Sequence, residues 1–140
     1  MPVSTHLLRL SMAGNSGIEN ITERVRQVLT QSGLQAGIAT VFVKHTTASI
    51  MIIEDEPGIR ADTEKFWNDT IPASSDWEHN LRNPGEDNGH SHLRGQLQGP
   101  TVSIPFAGSQ LTLGTWQQIV LIDFDTRART RELVVQLLGE

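Results

Sequence analysis

The chain has no cysteine in its 140 residues. Disulfides, thiolate metal ligands and a cysteine nucleophile are therefore excluded. It has no excess of positive charge. A formal net charge of −5 argues against a nucleic-acid partner, because gripping phosphate backbones needs a concentrated basic surface. It has no apolar run near the ~20 residues that span a bilayer. The start, Met1-Pro2-Val3-Ser4, lacks the charged and apolar regions of a signal peptide. It also has no internal repeat, no low-complexity tract and no recognisable phosphate loop. These absences, with a length suited to one ordinary domain, lead to the expectation of a cytoplasmic protein. It would form a single domain over residues 1–140, with neither membrane nor nucleic acid as partner. The apolar fraction of 37% is modest and leaves room for a subunit interface or a long polar loop.

What is present reads as α+β with a predominantly antiparallel sheet and two main helices. Val3 to Leu10 predicts an edge strand. Ser16-Gly17-Ile18-Glu19 has the form of a capping box, in which the serine and glutamate satisfy each other's free amides. Ile18, Ile21, Val25, Val28 and Leu29 follow at helical spacing, and Gly33 offers a stop. A helix over Ile18 to Ser32 is predicted. Gly37 to Lys44 and Ser49 to Ile53 are β-branched and apolar, as buried strands are. A second helix starts near Pro57 and ends before Pro72, with Ile59, Phe66 and Trp67 as its candidate buried face. Residues Ala73 to Gly89 show no periodicity. A loop this long is usually functional or disordered, and Trp77 with two nearby histidines argues against simple disorder. Strands are predicted at Thr101 to Phe106, Leu111 to Leu113, Trp116 to Phe124 and Arg131 to Leu138.

The chemistry-bearing residues are few. Of five histidines, His6 lies in the edge strand without polar company and reads as solvated. His45 ends a very apolar strand and is followed by Thr46 and Thr47, and strand ends are where scaffolds place reactive groups. His90-Ser91-His92, if extended, would send both rings to one face. His79 follows Trp77-Glu78, and an imidazole beside a carboxylate can be held in one tautomer. In the acidic run Glu54-Asp55-Glu56, Asp55 and Glu56 read mainly as a solvated turn or the acidic start of a helix. Gly114-Thr115-Trp116-Gln117 is unusual for a simple hairpin, and Trp116 and Gln117 are able to close a pocket. Arg127, Arg129 and Arg131 form either a charged surface or a phosphate-recognising fork.

Taken in order, these pieces resemble the YjbQ-like family, also labelled secondary thiamine-phosphate synthase. The resemblance is carried by His45-Thr46-Thr47-Ala48-Ser49 followed by Glu54, and by Trp77-Glu78-His79. It is carried also by Ser91-His92-Leu93 leading to Leu97-Gln98-Gly99, by Leu113-Gly114-Thr115-Trp116-Gln117, and by the closing Leu138-Gly139-Glu140. The chain departs from the family at Ile53, where an asparagine is common. It departs again at Asp125-Thr126-Arg127-Ala128-Arg129, where Asp-Gly-Pro-Arg is common, so that Arg131 is the best-matched arginine. The resemblance implies a compact α+β domain, a homotrimer, and a site that gathers His45, His79 and His92 with Glu54.

The expected roles follow. His45, His79 and His92 hold a divalent metal, zinc or similar, or in its absence a small anion. His45, Glu54 and His92 act in catalysis, with Glu54 as orienting group or general base. Thr46, Thr47, Trp116, Gln117 and Arg131 contact substrate, and His90 and Arg131 stand at the rim. No organic cofactor is expected. The ligand is a small phosphorylated metabolite or anion. Three functions compete: an enzyme of the thiamine-phosphate synthase type, a metal-dependent hydrolase or lyase, and a non-enzymatic anion-binding trimer.

Overall fold

The computed structural model describes all of residues 1–140. In chain order it contains β1 (Val3–Met12), β2 (Gly17–Asn20), α1 (Thr22–Ser32), β3 (Gly37–Val43), β4 (Ala48–Ile53) and α2 (Pro57–Thr70). These are followed by α3 (Glu78–Arg82), α4 (Gly89–Gln98), β5 (Thr101–Ala107), β6 (Gln110–Leu111), β7 (Gln118–Asp123) and β8 (Arg129–Gly139). Two sheets form, in the orders β1-β8-β3-β5-β6 and β2-β7-β4. Every strand pair is antiparallel. The expected α+β class holds.

The larger sheet alternates. In β8, Leu133, Val135 and Leu137 are fully buried. They join Ala39, Val41 and Val43 of β3, Ile104 and Phe106 of β5, and Val25, Val28 and Leu29 of α1 in the main core. The smaller sheet is covered on both faces, which is why Ile119 to Ile122 is an unbroken apolar run with no alternation. Ile50, Ile119 and Leu121 face the main core. Met51, Val120 and Ile122 face the opposite way, onto Trp67 of α2 and Phe124. Trp67 meets Phe124 edge to face at 4.9 Å.

Three expectations are corrected. The stretch Ser16 to Glu19 is not a capping box. Ser16 has a left-handed φ of 65°, and Gly17–Asn20 pairs with β7. α1 starts at Thr22 instead, where Asn20 Oδ1 accepts from the Thr22 amide at 3.0 Å. Ladder pairing with a buried strand outcompeted the local cap. The aperiodic stretch is not a plain loop, since it holds α3, and α4 follows at once, so that two shorter helices join the two main ones expected, α1 and α2. Its helices are short and carry polar faces inward, so no apolar period betrays them. The strand expected from Trp116 begins at Gln118. Asn80 fastens this whole region: its Oδ1 accepts from the Gly89 amide and its Nδ2 donates to the Ser74 carbonyl. On α2, Glu56 is the N-cap, accepting from the Gly58 and Ile59 amides. Only Trp67 of the expected face is buried, while Phe66 is exposed.

Candidate functional site

Where β3 runs out and the chain turns into β4, a pocket of about 500 Å³ opens with no apolar residue in its lining. His45, Thr46 and Thr47 come from that turn. His79 comes from α3, His92 from α4, and Asp125, Arg129 and Arg131 from the segment joining β7 to β8. Lys44, Glu86 and Asn88 complete the wall. Three cations thus face two carboxylates, with three histidines among them.

The floor is a buried ionic network. Arg131 donates to both carboxylate oxygens of Asp123, at 2.6 and 2.7 Å, and its Nη2 also donates to Thr47 Oγ1 at 2.7 Å. Thr47 in turn donates to Asp125 Oδ2 at 3.0 Å. That oxygen also accepts from Arg129 Nε at 2.6 Å. Asp125 Oδ1 accepts from the Thr126 amide and from Asn88 Nδ2. Burial alone would raise the Asp125 carboxyl. The Thr126 amide, Asn88, Arg129 and Thr47 outweigh it, and the group is held at about 2, because each bond favours the ionised form.

The histidines are held differently. The Glu132 amide donates to His45 Nε2 at 3.0 Å. That nitrogen presents its lone pair, so the neutral ring carries its proton on Nδ1. Burial, then the Arg131 charge, lower the His45 pKa and keep the ring neutral. His79 and His92 stand together, with ring centroids 4.5 Å apart and planes tilted by 41°. Their approach depends on Gly89, where a Cβ would fall 2.9 Å from Trp77 Cβ and 3.4 Å from His79 Cβ. Burial, then the neighbouring His79, lower the His92 pKa.

Among the expected site residues, His45, Thr46, Thr47, His79, His92 and Arg131 meet in this one pocket. Arg131 is not a rim group; it is 1% exposed, with its Nε and Nη2 bound to Asp123 and Thr47. His90 is not at the rim either. His90 and His92 lie in a helix, where two residues turn through ~200°, so their rings do not share a face. His90 is buried, with an unpartnered Nδ1. Glu54, Trp116 and Gln117 are absent from this pocket within one chain. Glu54 follows β4 at its far end, about 20 Å from Ala48 by the rise of an extended strand. Trp116 is 71% exposed, and Gln117 Oε1 accepts from the Gly114 amide at 2.8 Å, closing its own turn. No three His, Asp or Glu side chains are grouped to hold a metal ion. The residues that sequence reasoning missed are Asp123, Asp125, Asn88, Lys44 and Glu86, while Arg129 belongs to the arginine cluster already singled out. An aspartate at a turn is ordinary, so only the arginine cluster offered a signal.

The chain matches the family described as UPF0047 protein YjbQ-like over residues 6–140. It is 34% identical over 140 residues to a UPF0047 protein of Methanothermobacter thermautotrophicus, covering 100% of this chain and 95% of that one. It is 32% identical over 136 residues to a UPF0047 protein of Synechocystis, covering 96% and 90%. A crystal structure of a hypothetical protein from Aeropyrum pernix superposes with a TM-score of 0.90 at 31% identity, covering 98% and 99%. One of a YbjQ-like protein of unknown function from Sulfolobus solfataricus gives 0.89 at 30%, covering 99% and 100%.

Proposed function

The chain belongs to the YjbQ-like UPF0047 family, and from that premise we propose that its polar pocket binds the oxyanion of a small phosphorylated metabolite and that the His79–His92 pair exchanges a proton with it. The observation that carries this reading is a pocket without one apolar wall residue, where Lys44, Arg129 and three histidines surround open space. His45 supports the anion form over the metal form. Its Nε2 is engaged by the Glu132 amide, which leaves an Nδ1–H donor where a metal needs a lone pair. Lys44 and Arg129 are suited to charge developing on a departing phosphate or diphosphate. A transferase of the thiamine-phosphate synthase type is one reaction that fits. No helix of the chain is long and apolar enough to cross a membrane.

The test is calorimetric titration with inorganic sulfate, whose charge is constant near neutrality. Bound anion favours protonated His92, whose free-state pKa lies below 6.5. Binding therefore takes up a proton, and affinity rises as pH falls from about 7 to about 5. His92→Ala removes most of the binding and flattens this pH dependence. Absence of millimolar binding, or an unaltered profile in the variant, refutes the proposal.

A second observation bears on assembly. Glu54 makes no hydrogen bond or ion pair, Trp116 stands in solvent, and both belong to the end of the molecule opposite the cationic pocket. Different patches at opposite ends associate head to tail, and such contacts close into rings. A homotrimer would bring one copy's Glu54 and Trp116 against the next copy's pocket. Light scattering at micromolar concentration should read three chains. Mixing His92→Ala with Trp116→Ala, each defective alone, should restore about one site in four by random assortment. A monomer mass, or no restoration, rejects this arrangement.

A further inference from the structure

Behind the turn from β3 to β4 lies a second cleft, of about 470 Å³. It shares Lys44, His45 and Thr46 with the polar pocket, and the rest of its wall is Phe42, Val43, Ala48, Gly95, Gln96 and Pro100. The two cavities are opposite in character: one is wholly polar, while the other has apolar side chains on the β3 end, on β4 and at Pro100. The divider between them is rigid. The Lys44 amide donates to the Glu132 carbonyl at 3.2 Å, and His45 Nε2 accepts from the Glu132 amide. On the cleft side, α4 lies directly on the chain, since a Cβ on Gly95 would fall 2.6 Å from the Thr46 carbonyl oxygen. Only glycine permits that approach. It sets the α4 backbone, rather than a side chain, as the limit of the cleft. Phe42 remains 40% exposed there, so an aromatic face is left open a few residues from the cationic groups.

We propose that this cleft is the subsite for a compact apolar group attached to the anion, so that the ligand is an aryl or short alkyl phosphomonoester bridging Lys44–Thr46 rather than a free phosphate or a polyol phosphate. The inference rests on the anion reading of the polar pocket and adds the chemistry of the ligand's other half. The anionic head meets the Nδ1–H of His45, Lys44 and Arg129. The apolar half covers Phe42 and Ala48 and lies along Pro100. A cleft of this size and character takes a ring or a short chain. A sugar would leave its hydroxyls facing carbon.

Titration of the intact protein with inorganic phosphate and with phenyl phosphate tests this. Phenyl phosphate binds roughly tenfold tighter, the gain expected when about half a phenyl ring leaves water. Gln96→Trp, an exposed helical position that a larger side chain fills without touching the core, removes that gain and leaves the inorganic phosphate affinity unchanged. Phe42→Ala acts the same way and guards against a peculiarity of either variant. Equal affinities of the two ligands, or a gain that survives both substitutions, overturn the subsite while the anion pocket stands. Failure of both ligands to bind overturns the anion pocket and the subsite together.

Discussion

The two ends of the β4–β7 pair are built from the same strands and share almost nothing else. At one end, Ala48 faces Asp123, and the chain continues into a network in which Thr47, Asp123, Asp125 and Arg131 are buried and only Arg129 reaches solvent. At the other, Ile53 faces Gln118. There Asn20 bridges Asp55 and Gln118, and Arg60 grips Asp55. Those groups are partly open to solvent, and Glu54 and Trp116 are left unpartnered. The difference is a matter of dielectric. At the first end the Arg131–Asp123 pair is shielded from water, with side chains 2% and 0% exposed, so removing one partner strands the other. At the second end water replaces whatever is removed.

The sharpest way to break this comparison is Arg131→Ala. It leaves Asp123 buried without its counter-charge and should cost about 3–5 kcal/mol in urea unfolding. A loss under 1 kcal/mol would mean that the floor is wet. Next comes acid. The Asp125 carboxyl is held at about 2, against an ordinary value of 3.8. A depressed carboxylate contributes stability that is full above 3.8 and is lost as pH falls from there toward 2. That contribution is roughly 2 kcal/mol. Unfolding free energies measured from pH 5 to pH 2 should show this loss, and Asp125→Asn should flatten it. The smallest effect belongs to the open end. Glu54→Ala should change unfolding free energy by no more than about 0.5 kcal/mol. A cost above 1 kcal/mol would show that this end is covered when the protein is assembled.

The histidines show how far the sequence carries. His45, His79 and His92 were legible as one group because the order of motifs tied them together, and the pocket contains all three. The same logic failed for Glu54, Trp116 and Gln117 within one chain. Motif order says which residues matter but not at which end of a strand they emerge, and six extended residues separate Thr47 from Glu54. His90 failed for a different reason: an H-x-H spacing has opposite consequences in a strand and in a helix, and the polar stretch around it carries no period to choose between them. The four-residue strand β2 was misread as a helix start because its partner, β7, lies about a hundred positions away.

Composition, apolar periodicity and motif order were enough to determine an α+β chain with a mostly antiparallel sheet, the buried faces of β3, β4 and β8, the body of α1 and α2, and the family. These are local or near-local properties, written in the alternation of side chains along short stretches. Only the tertiary structure decided that Asp123 and Asp125 hold Arg131 and Arg129, that the Glu132 amide sets the tautomer of His45, and that an apolar cleft adjoins the polar pocket. Each of these depends on segments distant in sequence packing to within a few ångströms. A hydrogen bond or a cavity wall is decided at that distance, and no pattern along the chain records it.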